Sequence, residues 1–457
     1  MRFAPLALAA LLVVAPESVA QQPDTAHRAT NRADTTGARP IMLAVPILDW
    51  PDNFANGRTL PTMQQSLALT RAFYQLGPWA INQAWHGNAA GSGLSQLLFE
   101  VLAFYVPPGE AWLHEEWHRA VLSHLGIASY NDTYKFRLFA GVVAVSHVRD
   151  EDLERLKREH PADFVRLAAA GIEGEYQHIT AVEKDRFFFG ANPYGRFSNV
   201  TAVLNAIIYL GLSSFDYVNR ETDKMNREDG ANIGVRDFTG WDFTAWVYDL
   251  FRPDEPYAAR GVHPSGVGID RYIKPDDLSP AERHFLRVQG VLSLLNLVDP
   301  GLVGLRPFRL TSPVTGRPLQ FQIGLRHLLT SFGYTVDANI FWKEDAASLF
   351  VILHNYVNGE RYFPGAEAEL LRQPVRVGGR ELYITPRLAA WLQPEGQRFR
   401  SARAVAGALG SIRLEPRARR ALAPYVEVEV KTAGWVAGNV DLGGNLGVRL
   451  GVAGTLR

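Results

Sequence analysis

Two periodicities divide the chain. From Pro40 to about Leu305, apolar residues recur at three- and four-residue steps. Thr62–Leu76 is typical, with Leu67, Leu69, Ala72, Phe73 and Leu76 so spaced. That spacing predicts helices whose apolar stripes share a core. Further apolar, mostly helical segments are expected at Gly93–Tyr105, Tyr134–His147, Ala162–Thr180, Asn199–Phe215 and His284–Leu297. Pro107-Pro108-Gly109 opens another helix, which Gly126 would stop. Arg149–Glu159 is a charged run that reads as a solvated face. Each apolar segment contains or adjoins polar residues, which suits core helices of a bundle better than membrane spans.

After about Arg306 the period becomes two. In Phe332–Trp342, Phe332, Tyr334, Val336, Ala338, Ile340 and Trp342 share one face, opposite Gly333, Thr335, Asp337 and Asn339. Val426, Val428 and Val430 oppose Glu427, Glu429 and Lys431, and Leu446–Leu456 alternates in the same way. Strict alternation predicts antiparallel strands. Roughly eight to ten fit, at about ten residues each plus turns. The fold class is therefore α+β: a mostly helical region over residues 40–305, then an antiparallel β region over 306–457. The β region closes either as an outer-membrane β-barrel, apolar side to lipid, or as a periplasmic sandwich or curved sheet. Residues Ser401–Ala423, rich in Arg and Ala and poorly patterned, count against an unbroken barrel.

Composition narrows the setting. Residues 1–20 read as an export signal: Arg2, the apolar stretch Pro5–Ala15, then small residues at Ser18-Val19-Ala20. Residues 21–39 are polar and aperiodic, as in a disordered leader. The expected location is the cell envelope, periplasm or outer membrane. Lys plus Arg and Asp plus Glu both number 47, so charge offers no case for a nucleic-acid partner. There is no cysteine, which excludes thiol catalysis and thiolate-bound metal and leaves His and carboxylate as ligands.

Such ligands occur in "LHEEWHR", Leu113–Arg119. His114 and His118 lie one helical turn apart and can bind one zinc ion (Zn2+) from a single helix face. Glu115, beside the first histidine, is placed to act as general base toward water. A catalytic zinc needs a third protein ligand. The best candidate is Glu173 in "AAAGIEGEYQH", where Ala169, Ala170, Gly171 and Gly174 would let two helices approach closely. Glu175 is the rival, about 200° away around the helix. His178 and His263 are candidate donors to the oxyanion of a tetrahedral intermediate, His263 from the Gly/Pro-rich loop "RGVHPSGVGIDRY".

With these residues in view, the chain resembles the zincin metallopeptidases, gluzincin type, in which a His-Glu-x-x-His helix is completed by a glutamate from a later helix. Residues 114–118 match the first element, and "EGEY" at 173–176 is similar to the second, with its tyrosine one or two positions early. The resemblance covers about seventy residues. It implies zinc held by His114, His118 and Glu173, Glu115 as general base, and a protein or peptide substrate. The competing expectation is an outer-membrane channel or assembly factor whose zinc is structural.

Overall fold

A computed structural model describes residues 41–54, 61–85, 88–136, 143–190, 196–302, 305–313, 315–345, 347–417 and 422–456. The expected signal peptide and leader lie outside these. Within them the chain is mixed helix and antiparallel sheet, as the two periodicities require.

The first element is a correction. Residues 41–50, expected within the helical region, form strand β1 and pair antiparallel with the last strand, 445–456, from Ile41↔Leu456 to Trp50↔Val448. No local pattern announces this, because the partner lies some 400 positions away. Three helices follow: α1 (Met63–Ala84), α2 (Ala89–Ala103) and α3 (Glu110–His124). Thr62 caps α1, its hydroxyl accepting from Gln65 N while Gln65 Oε1 accepts from Thr62 N. The expected apolar segment 134–147 has no α-helix where described; a 3-10 turn (Asp132–Lys135) runs into its start, and β3 (Val145–Ser146) near its end pairs with β2 (Tyr130–Asn131) just before it.

The charged run at 149–159 becomes α4 (Asp150–Glu159), which buries Leu153 and Leu156. The longest helix, α5 (Pro161–Phe189), outruns its expected end at 180 and stops at Gly190 in a left-handed conformation. Helices α6 (Arg196–Leu212), α7 (Tyr217–Asp229), α8 (Asp242–Phe251) and α9 (Pro280–Leu292) complete the set. Val165, Ile172, Ile179, Val203, Trp246 and Leu286 from four of these helices meet in one core. No single helix among the described residues is long and apolar enough to cross a membrane; one bent pair, 199–212 with 217–229, passes that test together.

Ten strands then follow: β4 (Phe308–Thr311), β5 (Pro318–Thr330), β6 (Gly333–Lys343), β7 (Ser348–Asn358), β8 (Arg361–Leu370), β9 (Gln373–Val377), β10 (Arg380–Pro394), β11 (Ala404–Pro416), β12 (Leu422–Lys431) and β13 (Asn445–Leu456). The poorly patterned stretch 401–423 thus contains a regular strand, β11. With β1 they make an eleven-stranded sheet in the order β1-β13-β12-β11-β10-β8-β7-β6-β5-β4, with β9 on β10. The sheet is not closed on itself: β1 and β4 are its two edges. Neighbours dress β1 and the part of β5 that β4 leaves unpaired. Helix α1 covers β1, where Gln75 Oε1 accepts from Met42 N at 3.1 Å and Gln65 Nε2 donates to Ile47 O at 3.0 Å. Residues 296–298 cover β5 beyond the short β4, with Leu325 N donating to Val298 O at 2.9 Å and His327 N to Asn296 Oδ1 at 2.7 Å.

One face of the sheet packs on α5. Glu183 pairs with Arg326, Lys184 with Glu369, and Phe187 stacks near Phe341 with ring centroids 5.4 Å apart. This inner face is charged and internally paired. Arg449 reaches Glu427 at 2.7 Å and Asp49 at 3.0 Å, and Arg387 reaches Glu367 at 2.7 Å.

The β1–β13 pairing makes a test. A Cβ at Gly451 would overlap Val45 O and lie 2.7 Å from Tyr425 Cε1, whereas one at Gly410 meets only Leu388 Cδ2 at 3.7 Å. Gly451→Val is expected to lower stability by about 1–3 kcal/mol and expose residues 41–50 to protease, while Gly410→Val leaves the melting temperature nearly unchanged. Equal effects of the two would refute the pairing.

Candidate metal centre

Helices α3 and α5 run antiparallel and touch along a ladder of polar contacts. Glu110 Oε1 meets His178 Nδ1 at 2.6 Å, His114 Nδ1 meets Glu175 Oε1 at 2.7 Å, and His118 Nδ1 donates to Leu167 O at 2.6 Å. All of these side chains are buried. The ladder is possible because α5 presents two glycines to α3. A Cβ at Gly171 would overlap Nε2 of both His114 and His118, and one at Gly174 would lie 2.8 Å from the Trp117 indole. The small residues therefore let the helices close, as expected, but the space they leave is filled by imidazole and indole rings.

The acceptors fix the rings. A carbonyl oxygen can only accept, so His118 carries its proton on Nδ1 and leaves the lone pair on Nε2, beside Gly171. Glu175 does the same for His114, the arrangement that orients metal-binding histidines. Both Nε2 atoms face Asp242, the first residue of α8, with Oδ2 at 3.0 Å from His114 and 3.6 Å from His118. The three donor atoms lie within 4.8 Å of one another, and all three residues are buried. His118 Nε2 has no hydrogen-bond partner. A buried, unpartnered nitrogen aimed at a carboxylate and a second imidazole fits a metal ion, and His114, His118 and Asp242 could hold one.

Electrostatics agree with that fit. Burial pushes the Asp242 carboxyl upward, but His118 and His114 outweigh it and hold the group below the ordinary carboxylate range. Its place in the first turn of α8 adds the favourable end of the helix dipole. Burial works against charge on His114, yet its bonds to Asp242 and Glu175 prevail and raise it well above the usual imidazole value. A ring flanked by two carboxylates holds a proton that a cation would replace. Glu115 is buried too, and burial, helped by the charge of Asp242 and opposed by His114, takes its carboxyl to about 8. Asp237 is raised by burial and by the charges of Glu115 and Asp242. The Phe238 ring lies 5.1 Å from that of His118.

Two residues of the group match the expectation from sequence, and the third does not. Glu173 points away from the histidines: its Oε1 accepts from Arg166 at 2.7 Å and from Gly438 N at 2.8 Å. Glu173 sits about 200° from Gly171 around the helix, while Glu175 falls on the glycine's own face and supports His114 without entering the group. His178 is one turn beyond Glu175 and is engaged by Glu110. His263 hydrogen-bonds Ser265 within its own loop, at 2.9 Å. Neither belongs to the group of three. Two contributors were missed. Asp242, in "TGWDFTAW", reads from sequence as an ordinary acidic helix start. Tyr209 is buried on α6, its hydroxyl accepting from Asp242 N at 3.1 Å and its ring 6.2 Å from that of His114.

Comparison with protein-family models, with curated proteins and with solved structures finds no match for this chain.

The geometry separates the two carboxylates experimentally. Asp242→Ala is expected to abolish stoichiometric metal binding, whereas Glu173→Gln retains it; metal content of the purified variants decides, and the reverse pattern would restore Glu173 as ligand. Glu175→Gln should weaken affinity about 10- to 100-fold by loosening His114. The raised His114 sets the sign with pH. The metal must displace a proton held well above the ordinary imidazole range, so affinity rises with pH through neutrality, roughly tenfold per unit for one proton released. Titration calorimetry in buffers of differing ionisation enthalpy measures that release, and buffer-independent heats would contradict it.

Proposed function

We propose that this chain is a zinc-dependent endopeptidase of the cell envelope. The observation that carries the reading is the convergence of His114 Nε2, His118 Nε2 and Asp242 Oδ2, with Glu115 buried beside the first of them. Two imidazoles and one carboxylate with no thiolate suit zinc, and three protein donors leave one position of a tetrahedral site for substrate or water. When bound there, zinc would act as a Lewis acid on water and on the scissile carbonyl.

The chain's own residues supply the rest. Glu115 is the general base: a carboxyl held by burial near neutral pH can take the proton of the attacking water and return it to the leaving amine. Glu175 and the Leu167 carbonyl hold the two rings with Nε2 forward. Tyr209 supports Asp242 from below through its backbone nitrogen. The envelope assignment is supported by the export-type sequence of residues 1–20. A channel or assembly factor with structural zinc is the competing class; the free carboxylate of Glu115 and the incomplete set of protein donors favour catalysis.

Glu115→Gln is expected to lower hydrolysis of a fluorogenic peptide library by roughly 10²–10⁴-fold while metal content and melting temperature stay at wild-type values. Wild-type activity in that variant would remove the enzymatic reading. So would metal-replete wild-type protein that cleaves no peptide in the library.

A further inference from the structure

The sheet's polarity is the reverse of that in a water-soluble layer. Strand register lines up directly opposed residues across the outer face. Ile323, Ile340, Val351, Ala368 and Leu388 form one row over β5, β6, β7, β8 and β10. Ile384, Leu414, Val426, Leu450 and Leu48 form another over β10, β11, β12, β13 and β1. Nine strands thus carry apolar side chains outward, and several of these side chains are well exposed, Leu388 by 66% and Val430 by 56%. The inner face carries the charge: Arg413, Glu427, Arg449 and Asp49 are likewise directly opposed. A cavity of about 280 Å³ between this face and helices α1 and α5 is lined by Arg71, Lys184, Glu369, Arg387 and Arg413 among others.

We propose that the outer face of the sheet lies in the hydrocarbon of a lipid bilayer, with α5 filling the interior as a plug. Soluble sheets bury their apolar face and wet the polar one; the inverse, sustained over nine neighbouring strands, is what a membrane-embedded sheet needs. Strands of ten to fifteen residues at these positions reach across a bilayer core. Open strand edges are not tolerated in hydrocarbon. Here α1 satisfies donors and acceptors of β1, and residues 296–298 do so for β5, while Leu297 and Val298 of that segment and Leu294 just before it are exposed. The ion pairs of Glu183 and Lys184 with Arg326 and Glu369, and the packing of Phe187 on Phe341, hold α5 against the inner face. The proposal is independent of the catalytic reading.

The absence of cysteine makes the test direct. Single cysteines at Leu388, Val430 and inward-facing Ser411, each carrying an environment-sensitive dye, are placed in the full chain in phosphatidylethanolamine–phosphatidylglycerol vesicles. Nitroxide-labelled lipid is expected to quench Leu388→Cys and Val430→Cys several-fold more than Ser411→Cys. Unlabelled wild-type chain should remain with floated vesicles after alkaline carbonate and show no stepwise conductance in planar bilayers. Wild-type protein that stays monodisperse without detergent would overturn the proposal. So would outward dyes quenched by aqueous iodide, or shielded from both quenchers in a soluble oligomer. Stepwise conductance would overturn the plug.

Discussion

The close approach of α3 and α5 is the constraint on which the rest depends. Two helices normally pack with axes 8–10 Å apart, a spacing set by the side chains between them. At Gly171 there is no side chain, and the facing residues are histidines whose rings fill the gap. That exchange puts two Nε2 atoms together at a position set by backbone geometry. It also places Glu175 and the Leu167 carbonyl where they can only accept, so the rings have one orientation available. Leucine or valine at position 171 would separate the helices and scatter the donors. The loss of helix propensity at two glycines, about 1 kcal/mol each, is offset by what their absence of bulk permits.

The sequence was legible where the signal was local and repeating. Period-two alternation in 332–342, 426–431 and 446–456 marks real strands because an apolar face opposes a small or polar one. His114 and His118 follow from helical spacing alone. What failed was information carried by distant partners. The strand at 41–50 has a Pro and an irregular register near Pro46, and its partner is the far end of the chain. Asp242 is one acid among 47 Asp and Glu and sits where any acid suits a helix start. The small residues around Glu173 do let the helices close, but Gly171 faces the histidines while Glu173 faces Arg166 and Gly438. Asking which residues share the face of Gly171 would have selected Glu175 as the one beside the histidines.

Helix α5 joins the two halves that the sequence suggests are separate. Its first half shapes the metal-binding group through Leu167, Gly171 and Glu175; its last two turns are bolted to the sheet through Glu183, Lys184 and Phe187. Asp185 adds Arg71 and Gln75 of α1, the helix that covers the first strand's edge. A disturbance of the inner face therefore has a rigid route to the histidines, through one continuous helix of 29 residues.

The pairing of β1 with β13 also bears on how the chain is made. The second residue of β1 and the last residues of β13 are partners, so the first strand to be synthesised waits for the last. Every helix that carries a metal-facing group lies between them in the sequence and can form beforehand from nearer contacts. Among the described residues this seam has the greatest sequence separation, and such contacts form slowly and late. Until it forms, β1 is a loose apolar strand, and keeping it from pairing elsewhere is a burden that falls on whatever accompanies the nascent protein.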